Sequence, residues 1–453
     1  MLVARMEAAL GRRRPDALEL LGLLWLAAAA GVLALGAVML PVTAALAVFG
    51  AAAVLVFLAR TDLAIVLVVA VAPIEGAFSS TAGSGISVTK LTGGLCIASF
   101  ALSLVRQRRT LVFERGQAIV LGILALALVS TLQAHDTSTA MMTTTRYASF
   151  ALVYLIVTQY GHDRVLQRRI AWALVVSCSV AAYLGLHEYL AKKEDLATLP
   201  YVSQNDFAFV LATALPLMFV VLDGPKLLRP FVLGAIGLVS AAILLSLSRG
   251  ALVGLAAGFV LFLLTHRRRW QLTLAAGAVA TVGVVLVIQS NPQRFQRALT
   301  LKQHIAHENV TTRFQAWGAA GRLMADHPLL GVGPGNFQFY FNKLTGQPVG
   351  GLTLTVAHNA LLDVGAELGV IAMCLLALFL LLALTRLTDS LHRGYGDYGF
   401  VSALRISLVI AAVSSLFLSE QYFLPFWLIG GLAAAIWVRG HEAEAVGTAT
   451  PAG

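Results

Sequence analysis

The chain has 453 residues, of which 58% are hydrophobic and only 12% charged, with a formal net charge of +10. Soluble domains carry about 25% charged residues, and the mean hydropathy here is +0.83, so the composition excludes an ordinary soluble globular protein. The apolar runs are continuous rather than alternating, and they reach the length of about 20 residues that a helix needs to cross a bilayer. The sequence therefore predicts an all-α, polytopic helical membrane protein.

Apolar stretches separated by charged or polar turns predict twelve, and up to fourteen, transmembrane helices. The first stretch is longer than the apolar core of a secretion signal and another follows at once, which predicts an uncleaved helix. The lower number applies if one weak adjacent pair, at 41–59 and 63–78 or on either side of Arg249, is dropped. The candidate spans are 18–39, 41–59, 63–78, 89–105, 117–133, 145–160, 170–190, 204–223, 231–248, 250–265, 271–289, 359–386, 400–418 and 422–438.

The order of these stretches divides the chain into four parts. Residues 1–289 form a predicted N-terminal transmembrane bundle, and residues 290–357 form one large polar loop. Residues 358–440 return to transmembrane helices, and the small, polar residues 441–453 predict a disordered tail. The loop is one long polar interruption of a membrane-like sequence, so it is the predicted place for chemistry.

Basic residues set the predicted orientation, because Lys and Arg collect on the cytoplasmic side of a membrane. Alternate loops are rich in arginine, for example at 12–14 and 267–269, whereas the intervening loops are poor in cations until 290–357. Both termini are therefore predicted to be cytoplasmic, and the large loop is predicted to be periplasmic. The arginines form short juxtamembrane clusters, so the net charge indicates topology and not nucleic-acid binding.

Segment 311–326 predicts an amphipathic helix within the loop. Thr311 or Thr312 is a suitable N-cap, and the helical pattern stops before a proline. Trp317 lies on its apolar face, which suits the membrane surface. Arg313 falls in the predicted first turn, where free backbone N–H groups and the helix dipole favour an anion.

Positive charges on the predicted outer side gather at a few helix ends. Arg249 lies where two spans meet, with no loop to carry its charge into water, and cations held near lipid tend to mark function. Arginine also offers a planar fork that matches phosphate oxygens. Arg146, Arg322 and Lys90 are further candidates for binding an anionic substrate, although snorkelling to the membrane interface explains Lys90 equally well.

His358 opens a predicted span and is followed by Asn359. A helix N-terminus and nearby arginines both disfavour the imidazolium, which predicts the neutral imidazole that a general base needs. An interfacial histidine bonded to water or backbone is the alternative. Glu367 lies two turns further on, where it either orients a partner or pairs with a cation.

The sequence predicts no metal site and no cofactor. Carboxylates on the outer side are scattered, without the paired aspartates that a divalent ion on a diphosphate would need. The three cysteines lie inside predicted spans, so neither a disulfide nor a cysteine-based metal site is expected. In this hypothesis arginine charge takes the place of a metal ion.

Several motifs resemble the O-antigen ligase/polymerase superfamily. They are Ser248-Arg249-Gly250-Ala251, the segment from Arg313 through Trp317 and Gly333-Pro334-Gly335 to Phe337, and His358-Asn359 followed by Gly369. The resemblance covers roughly 200–390 by motif and the whole chain by hydropathy. His-Asn, nine residues, then Gly is similar to the pattern of the ligases, while Ala372 departs from the Gly, Thr or Tyr usual at the last position.

The resemblance implies a GT-C-like fold and a glycosyltransferase of the bacterial inner membrane, with its active site facing the periplasm. The implied reaction transfers O-polysaccharide from undecaprenyl diphosphate to a sugar hydroxyl of lipid A–core, with inversion and without a metal. The implied partners are these two lipid-linked substrates and membrane lipids, with no nucleic acid. The implied base is His358, the implied diphosphate-stabilising residues are Arg249 and Arg313, and the implied substrate-binding residues are Arg146, Arg322, Lys90, Trp317 and Asn359.

Three other functions remain open. A polymerase of the same superfamily often has Arg, fifteen residues, then Gly in its outer loops, and that spacing does not follow Arg294, Arg297, Arg313 or Arg322. A lipid-linked oligosaccharide flippase or transporter would need a polar path and pseudo-symmetric halves. Transfer of the glycan to a protein acceptor would use the same His-Asn motif.

Overall fold

The computed structural model describes residues 42–75, 88–107, 111–191, 196–200, 202–265, 278, 281–282, 285, 288–289, 292–345 and 356–448. The predicted first span at 18–39 lies outside these residues, as does most of 271–289. Within them the chain forms helices joined by turns and contains no strand. This agrees with the predicted all-α class.

Fifteen α-helices occur in the described ranges, numbered here in chain order. They are α1 (Val42–Ala59), α2 (Thr61–Val71), α3 (Val88–Gln107), α4 (Arg115–Thr131), α5 (Thr137–Tyr160), α6 (Arg164–Leu190), α7 (Gln204–Val220), α8 (Arg229–Leu245), α9 (Arg249–Thr265), α10 (Pro292–Asp326), α11 (Phe337–Thr345), α12 (Ala360–Leu368), α13 (Val370–Arg393), α14 (Tyr398–Ser414) and α15 (Leu424–Thr448). Short 3₁₀ turns lie at Ala72–Ile74, Val221–Asp223, Lys226–Leu228 and Glu420–Tyr422.

Six helices of the described residues are long and apolar enough to cross a membrane, namely α3, α5, α6, α7, α8 and α13, with α7 and α8 counted together with their adjoining 3₁₀ turns. Helices α4, α9 and α14 are apolar but shorter. Near Arg60, α1 and α2 meet at a bend of 118°, so the weak pair of predicted spans there is a broken span or a re-entrant loop. The chain is thus a polytopic helical membrane protein.

The chain divides into two compact units. One contains residues 1–65 and 91–110, and in it Thr61 and Ser99 join their hydroxyls by a hydrogen bond of 3.0 Å. The other contains residues 66–90 and 111–453, which include every element of the candidate site described below.

Aromatic rings fill the centre of the larger unit, where α5, α13 and α15 meet. The Phe379 ring lies 5.5 Å from that of Tyr154 and 5.3 Å from that of Trp427. A Cβ atom added at Gly430 would lie 2.4 Å from Phe379, so the glycine lets α15 approach α13 closely. In a membrane such close van der Waals packing between helices replaces much of the hydrophobic driving force.

A second glycine contact brings α9 against α14. Cβ atoms added at Gly254 and Gly258 would lie 2.0 Å from Ser414 Oγ and 2.5 Å from Ile410 Cγ1. Small residues at a helix interface permit this approach. The contact matters for function because it brings the first residue of α9, Arg249, near the turn that follows α14.

The opposite end of the bundle contains a buried ion pair between Glu114 and Arg386. Glu114 also caps α4 and accepts the Tyr154 hydroxyl at 2.6 Å, while the Arg386 guanidinium lies 5.2 Å from the Trp437 ring. A buried charge pair needs such additional hydrogen bonds to offset its desolvation. These contacts join four helices away from the candidate site. The last of them, α15, continues to Thr448, so residues 441–448 of the predicted disordered tail are helical.

Candidate functional site

The predicted span 359–386 is two helices, α12 and α13, that separate at Gly369. Gly369 has a φ of +93°, a region that favours glycine, and a Cβ atom there would lie 2.3 Å from the Leu329 carbonyl oxygen. The Val370 N–H donates to the Pro328 carbonyl at 2.8 Å. The break between the helices is therefore filled by the turn that follows α10.

The glycine-rich turn at 331–335 satisfies the end of α12. The N–H groups of Val332 and Gly333 donate to the carbonyls of Ala366 and Glu367, each at 3.0 Å. Carbonyls in the last turn of a helix have no partner within it, and this turn supplies two. The Gly-Pro-Gly motif thus has a specific structural task here.

Glu367 is only 2% exposed, and its carboxylate binds the same glycine-rich turn. It accepts the Tyr422 hydroxyl at 2.6 Å and the backbone N–H groups of Gly335 and Phe337. The Glu367 carboxylate also lies near that of Asp363, and both side chains are buried. Of the two roles that the sequence left open for Glu367, the structure supports the one in which it orients a partner.

The helix that carries Arg313 begins earlier than the sequence predicts. α10 starts at Pro292 rather than at Thr311 or Thr312, so the predicted N-cap is wrong. Arg313 therefore lies inside a continuous helix, and the argument that free N–H groups surround it fails. Its contribution to the site is the charge of its side chain.

Trp317 joins α10 to the residue before His358. Its indole Nε1–H donates to the carbonyl oxygen of Ala357 at 3.0 Å. Trp317 follows Arg313 by four positions, so the two side chains lie on the same face of α10, one turn apart. The polar group of Trp317 is thus engaged with the protein itself.

His358 lies in the turn between Ala357 and α12, half-buried, with a φ of +53°. The next residue, Asn359, caps α12, because its side-chain oxygen accepts from the N–H groups of Leu361 and Leu362 at 3.1 Å. The Asn359 amide also donates to the Leu416 carbonyl at 3.2 Å. The oxygen and the nitrogen of the Asn359 side chain are therefore both hydrogen-bonded. The left-handed backbone conformation is that of His358.

Electrostatic effects group His358 with two arginines. Burial and, to a smaller extent, the positive charge of Arg313 together lower the pKa of His358 to about 4. Burial likewise lowers the pKa of Arg313, and the charge of Arg249 lowers it further. Arg313 therefore lies within electrostatic reach of both Arg249 and His358, and the imidazole is neutral at physiological pH. The sequence predicted these three residues from positions far apart in the chain.

Residues 234–377 match the family model described as O-antigen ligase. This segment, about a third of the chain, is what the protein shares with that family. The matched segment includes Arg249, Arg313 and His358, and it ends before the turn that connects α14 and α15. No curated protein sequence matches the chain.

The turn that connects α14 and α15 contains a buried acid that the sequence did not single out as a site residue. Glu420 is 0% exposed, lies beside Asp206 from the first turn of α7, and its pKa is raised by burial and by the Asp206 charge. The neighbouring Ser419 donates its hydroxyl to Asp363. Glu420 appeared in the sequence only as one of several scattered outer carboxylates, because the residues that bury it come from distant helices.

Three other predicted substrate-binding residues lie on exposed surfaces. Arg322 follows Arg313 by nine positions, which at 3.6 residues per turn places it on the opposite, exposed side of α10. Arg146 is exposed on α5, whereas its neighbour Tyr147 is buried. Lys90 is exposed in the first turn of α3. The structure groups none of these three with the half-buried pair of Arg313 and His358.

The described residues hold no group of three or more His, Cys, Asp or Glu side chains placed to share a metal ion. The charge that acts on His358 is that of Arg313, and Arg249 in turn acts on Arg313. Such an arrangement suits an anionic leaving group and a proton acceptor.

Proposed function

We propose that the protein is an O-antigen ligase that transfers O-polysaccharide from undecaprenyl diphosphate to a sugar hydroxyl of lipid A–core. The observation that carries the proposal is the position of Arg313, within electrostatic reach of both Arg249 and His358. Two cations and one neutral base at a single site match a reaction in which an anion leaves while a hydroxyl loses its proton.

In the proposed reaction the acceptor hydroxyl attacks the anomeric carbon of the donor sugar. A new glycosidic C–O bond forms as the bond from that carbon to the diphosphate oxygen breaks, and its electron pair leaves with undecaprenyl diphosphate. His358 takes the hydroxyl proton, and Arg249 and Arg313 stabilise the negative charge of the leaving group. One direct displacement inverts the anomeric configuration.

The diphosphate is also expected to adjust the base. Arg313 lowers the pKa of His358 in the free protein. A bound diphosphate brings negative charge to Arg313 and offsets this effect, so the imidazole becomes more basic when the donor is in place. His358 would thus be a stronger base in the complex with the donor than in the free protein.

The remaining predicted residues take other parts in the proposal. Trp317 and Asn359 act by positioning, because their polar groups bind the protein backbone. Arg146, Arg322 and Lys90 would meet the membrane interface or the approaching lipid headgroups, where exposed cations bind phosphate weakly. In the cell the site would face the periplasm of the bacterial inner membrane.

Purified protein, lipid-linked O-antigen and lipid A–core, with products resolved on a gel, test the proposal. We expect a product that requires lipid A–core, and a loss of about 10²–10⁴-fold in rate for His358→Ala, the range of general-base contributions. Asp326→Asn, at an exposed carboxylate that ends α10, is the matched control. EDTA should leave the rate unchanged, because arginine supplies the charge.

Other outcomes identify the other functions. Lengthening of the lipid-linked glycan without lipid A–core would indicate a polymerase. Movement of lipid-linked glycan across a liposome membrane without a new glycosidic bond would indicate a flippase. Wild-type rates in His358→Ala would remove His358 from the mechanism.

A further inference from the structure

We propose that Asp363 is a positioning residue that holds the base-bearing turn at His358 in its reactive conformation. The inference rests on the proposed function, in which His358 is the base. Asp363 lies in the first turn of α12 and is 1% exposed. It does not touch the reacting atoms in this proposal, and it acts through the backbone N–H of Ala357, the residue before His358.

The peptide units on either side of Ala357 are held from two directions. Its N–H donates to Asp363 Oδ1 at 2.6 Å, and its carbonyl accepts the Trp317 indole N–H at 3.0 Å. These two bonds fix the chain immediately before His358. The Asp363 bond comes from within the same local segment, whereas the Trp317 bond comes from α10.

A fixed turn is needed because the His358 backbone is in an unfavourable region. A φ of +53° is uncommon for a residue with a Cβ atom, and such conformations persist only where surrounding contacts impose them. Without the Asp363 acceptor, the turn is expected to relax toward a right-handed or extended conformation. The imidazole would then leave its half-buried position.

Asp363 also connects the base to the turn that contains Glu420. Its second oxygen, Oδ2, accepts the Ser419 hydroxyl, and the backbone N–H of Ala360 donates to the Ser415 carbonyl at 2.9 Å. One carboxylate therefore binds the segment before His358 and the segment before Glu420. We infer that Asp363 sets the separation of these two segments.

Both Asp363 oxygens are occupied by protein groups, which explains why the role is positional. A carboxylate that is fully buried and bonded at Oδ1 and Oδ2 is not free to accept a substrate proton. Charge near His358 comes from other elements as well, with Arg313 on α10 and, within reach of Arg313, Arg249 on α9. The test must therefore separate a movement of His358 from a change in its charged neighbours.

Substitutions at Asp363 test the role in transfer. Asp363→Ala removes both acceptors, and we expect kcat to fall by about 10²-fold, the effect of misplacing a catalytic group, with little change in KM. Asp363→Asn keeps an oxygen for the Ala357 N–H and offers an N–H to Ser419, so it should retain activity within about tenfold of wild type. Asp326→Asn is again the control. If Asp363→Ala does not give folded protein, Asp363→Val, which fills the same space, replaces it.

A second measurement does not depend on transfer. Diethyl pyrocarbonate acylates a histidine only when its imidazole is neutral. Mass spectrometry of the His358 peptide gives the rate of acylation at pH 5.5 and at pH 7.5. With the pKa of His358 at about 4 in the wild type, both rates should be equal after correction for the reagent. A released imidazole would titrate near 6.5, so the rate at pH 5.5 should fall about tenfold in Asp363→Ala. Arg313 remains in every variant, and the exposed His392 serves as the internal reference.

The outcomes distinguish this inference from the proposed function. Loss of kcat together with a shifted His358 titration supports the positioning role. Loss of kcat with an unchanged titration, or unchanged kcat, overturns it. If the wild-type protein transfers no glycan, the proposed function fails, and the acylation of His358 alone decides whether Asp363 holds the turn.

Discussion

The Trp317 indole N–H and the Ala357 carbonyl oxygen, 3.0 Å apart, join the long helix α10 to the residue before His358. Because Arg313 lies one turn before Trp317 on the same helical face, this bond also brings the arginine charge toward the histidine. The effect is visible in the lowered pKa of His358. A hydrogen bond to the backbone thus supports an electrostatic relationship between two side chains.

The first prediction compares two arginines of the same helix. Arg313→Ala should reduce kcat/KM by about 10²–10³-fold, because one preorganised donor to a developing negative charge contributes that much. Arg322→Ala should stay within about twofold, since this exposed side chain lies on the opposite face. Initial rates of glycan transfer at matched protein concentration make the comparison. Equal losses in both variants would contradict the assignment of Arg313.

The second prediction concerns pH. The neutral form of His358 is the base, and its pKa is about 4 in the free protein, lowered by burial and by Arg313. Protonation below that pKa removes the base, so kcat/KM should fall as the pH drops through about 4 and stay level above it. The acid limb of kcat should lie at higher pH, because the bound diphosphate offsets the Arg313 charge. Full pH profiles of both parameters test this order.

A variant at Arg313 provides the control for the pH profile. Arg313→Gln removes the positive charge that disfavours the imidazolium, so its kcat/KM limb should move to higher pH than that of wild type. We expect His358 to keep its half-buried position in this variant, so the comparison isolates the effect of charge. A limb that stays in place would mean that Arg313 does not act on His358 in solution.

A site residue can be predicted from the sequence when its own side chain carries the chemistry. It is harder to predict when its role depends on how the helices pack. Arg249, Arg313 and His358 were predicted because each is a charged or titratable residue at a helix end or in a polar loop, a rare position in an apolar chain. The helical fold could be predicted because the apolar runs are continuous and long enough for helices to cross a bilayer. The predicted start of α10 was wrong, because Thr311 and Thr312 are good N-cap residues but lie inside the continuous helix.

The roles of the buried acids could not be predicted from the sequence. Asp363 and Glu367 look alike there, one turn apart on an apolar helix, yet one binds the turn before His358 and the other the Gly335 turn. Glu420 is separated from its neighbour Asp206 by the seven described helices α8 to α14. Such contacts arise only when distant helices pack, and no local pattern encodes them.

The third prediction concerns Glu420. Burial and the Asp206 charge raise the pKa of Glu420, so we expect the side chain to be protonated and to offer a hydrogen-bond donor to Asp206. Glu420→Gln also offers a donor and should unfold at nearly the wild-type temperature in detergent micelles. Glu420→Ala leaves Asp206 without its partner and should lose about 1–3 kcal/mol of unfolding free energy. Equal destabilisation of the two variants would indicate that Glu420 is ionised.

The fourth prediction tests the junction between the glycine-rich turn and the break at Gly369. Gly331 has a φ of +62°, and a Cβ atom there would lie 2.3 Å from the Glu367 backbone carbon. A left-handed backbone alone costs a residue with a Cβ atom about 1–2 kcal/mol, and the clash adds to it. Gly331→Ala and Gly369→Ala should therefore each destabilise the protein by more than about 2 kcal/mol in thermal unfolding.

Gly318→Ala is the matched control for these glycines, because it lies within α10 and a Cβ atom there meets nothing within 4 Å. Alanine favours a helix over glycine by about 0.8–1.0 kcal/mol, so this variant should be as stable as wild type or more so. The same substitution is thus expected to destabilise the protein at Gly331 and Gly369 and to leave its stability unchanged or raise it at Gly318. If Gly331→Ala were as stable as Gly318→Ala, the turn would not be held against Glu367, and the break between α12 and α13 would need another support.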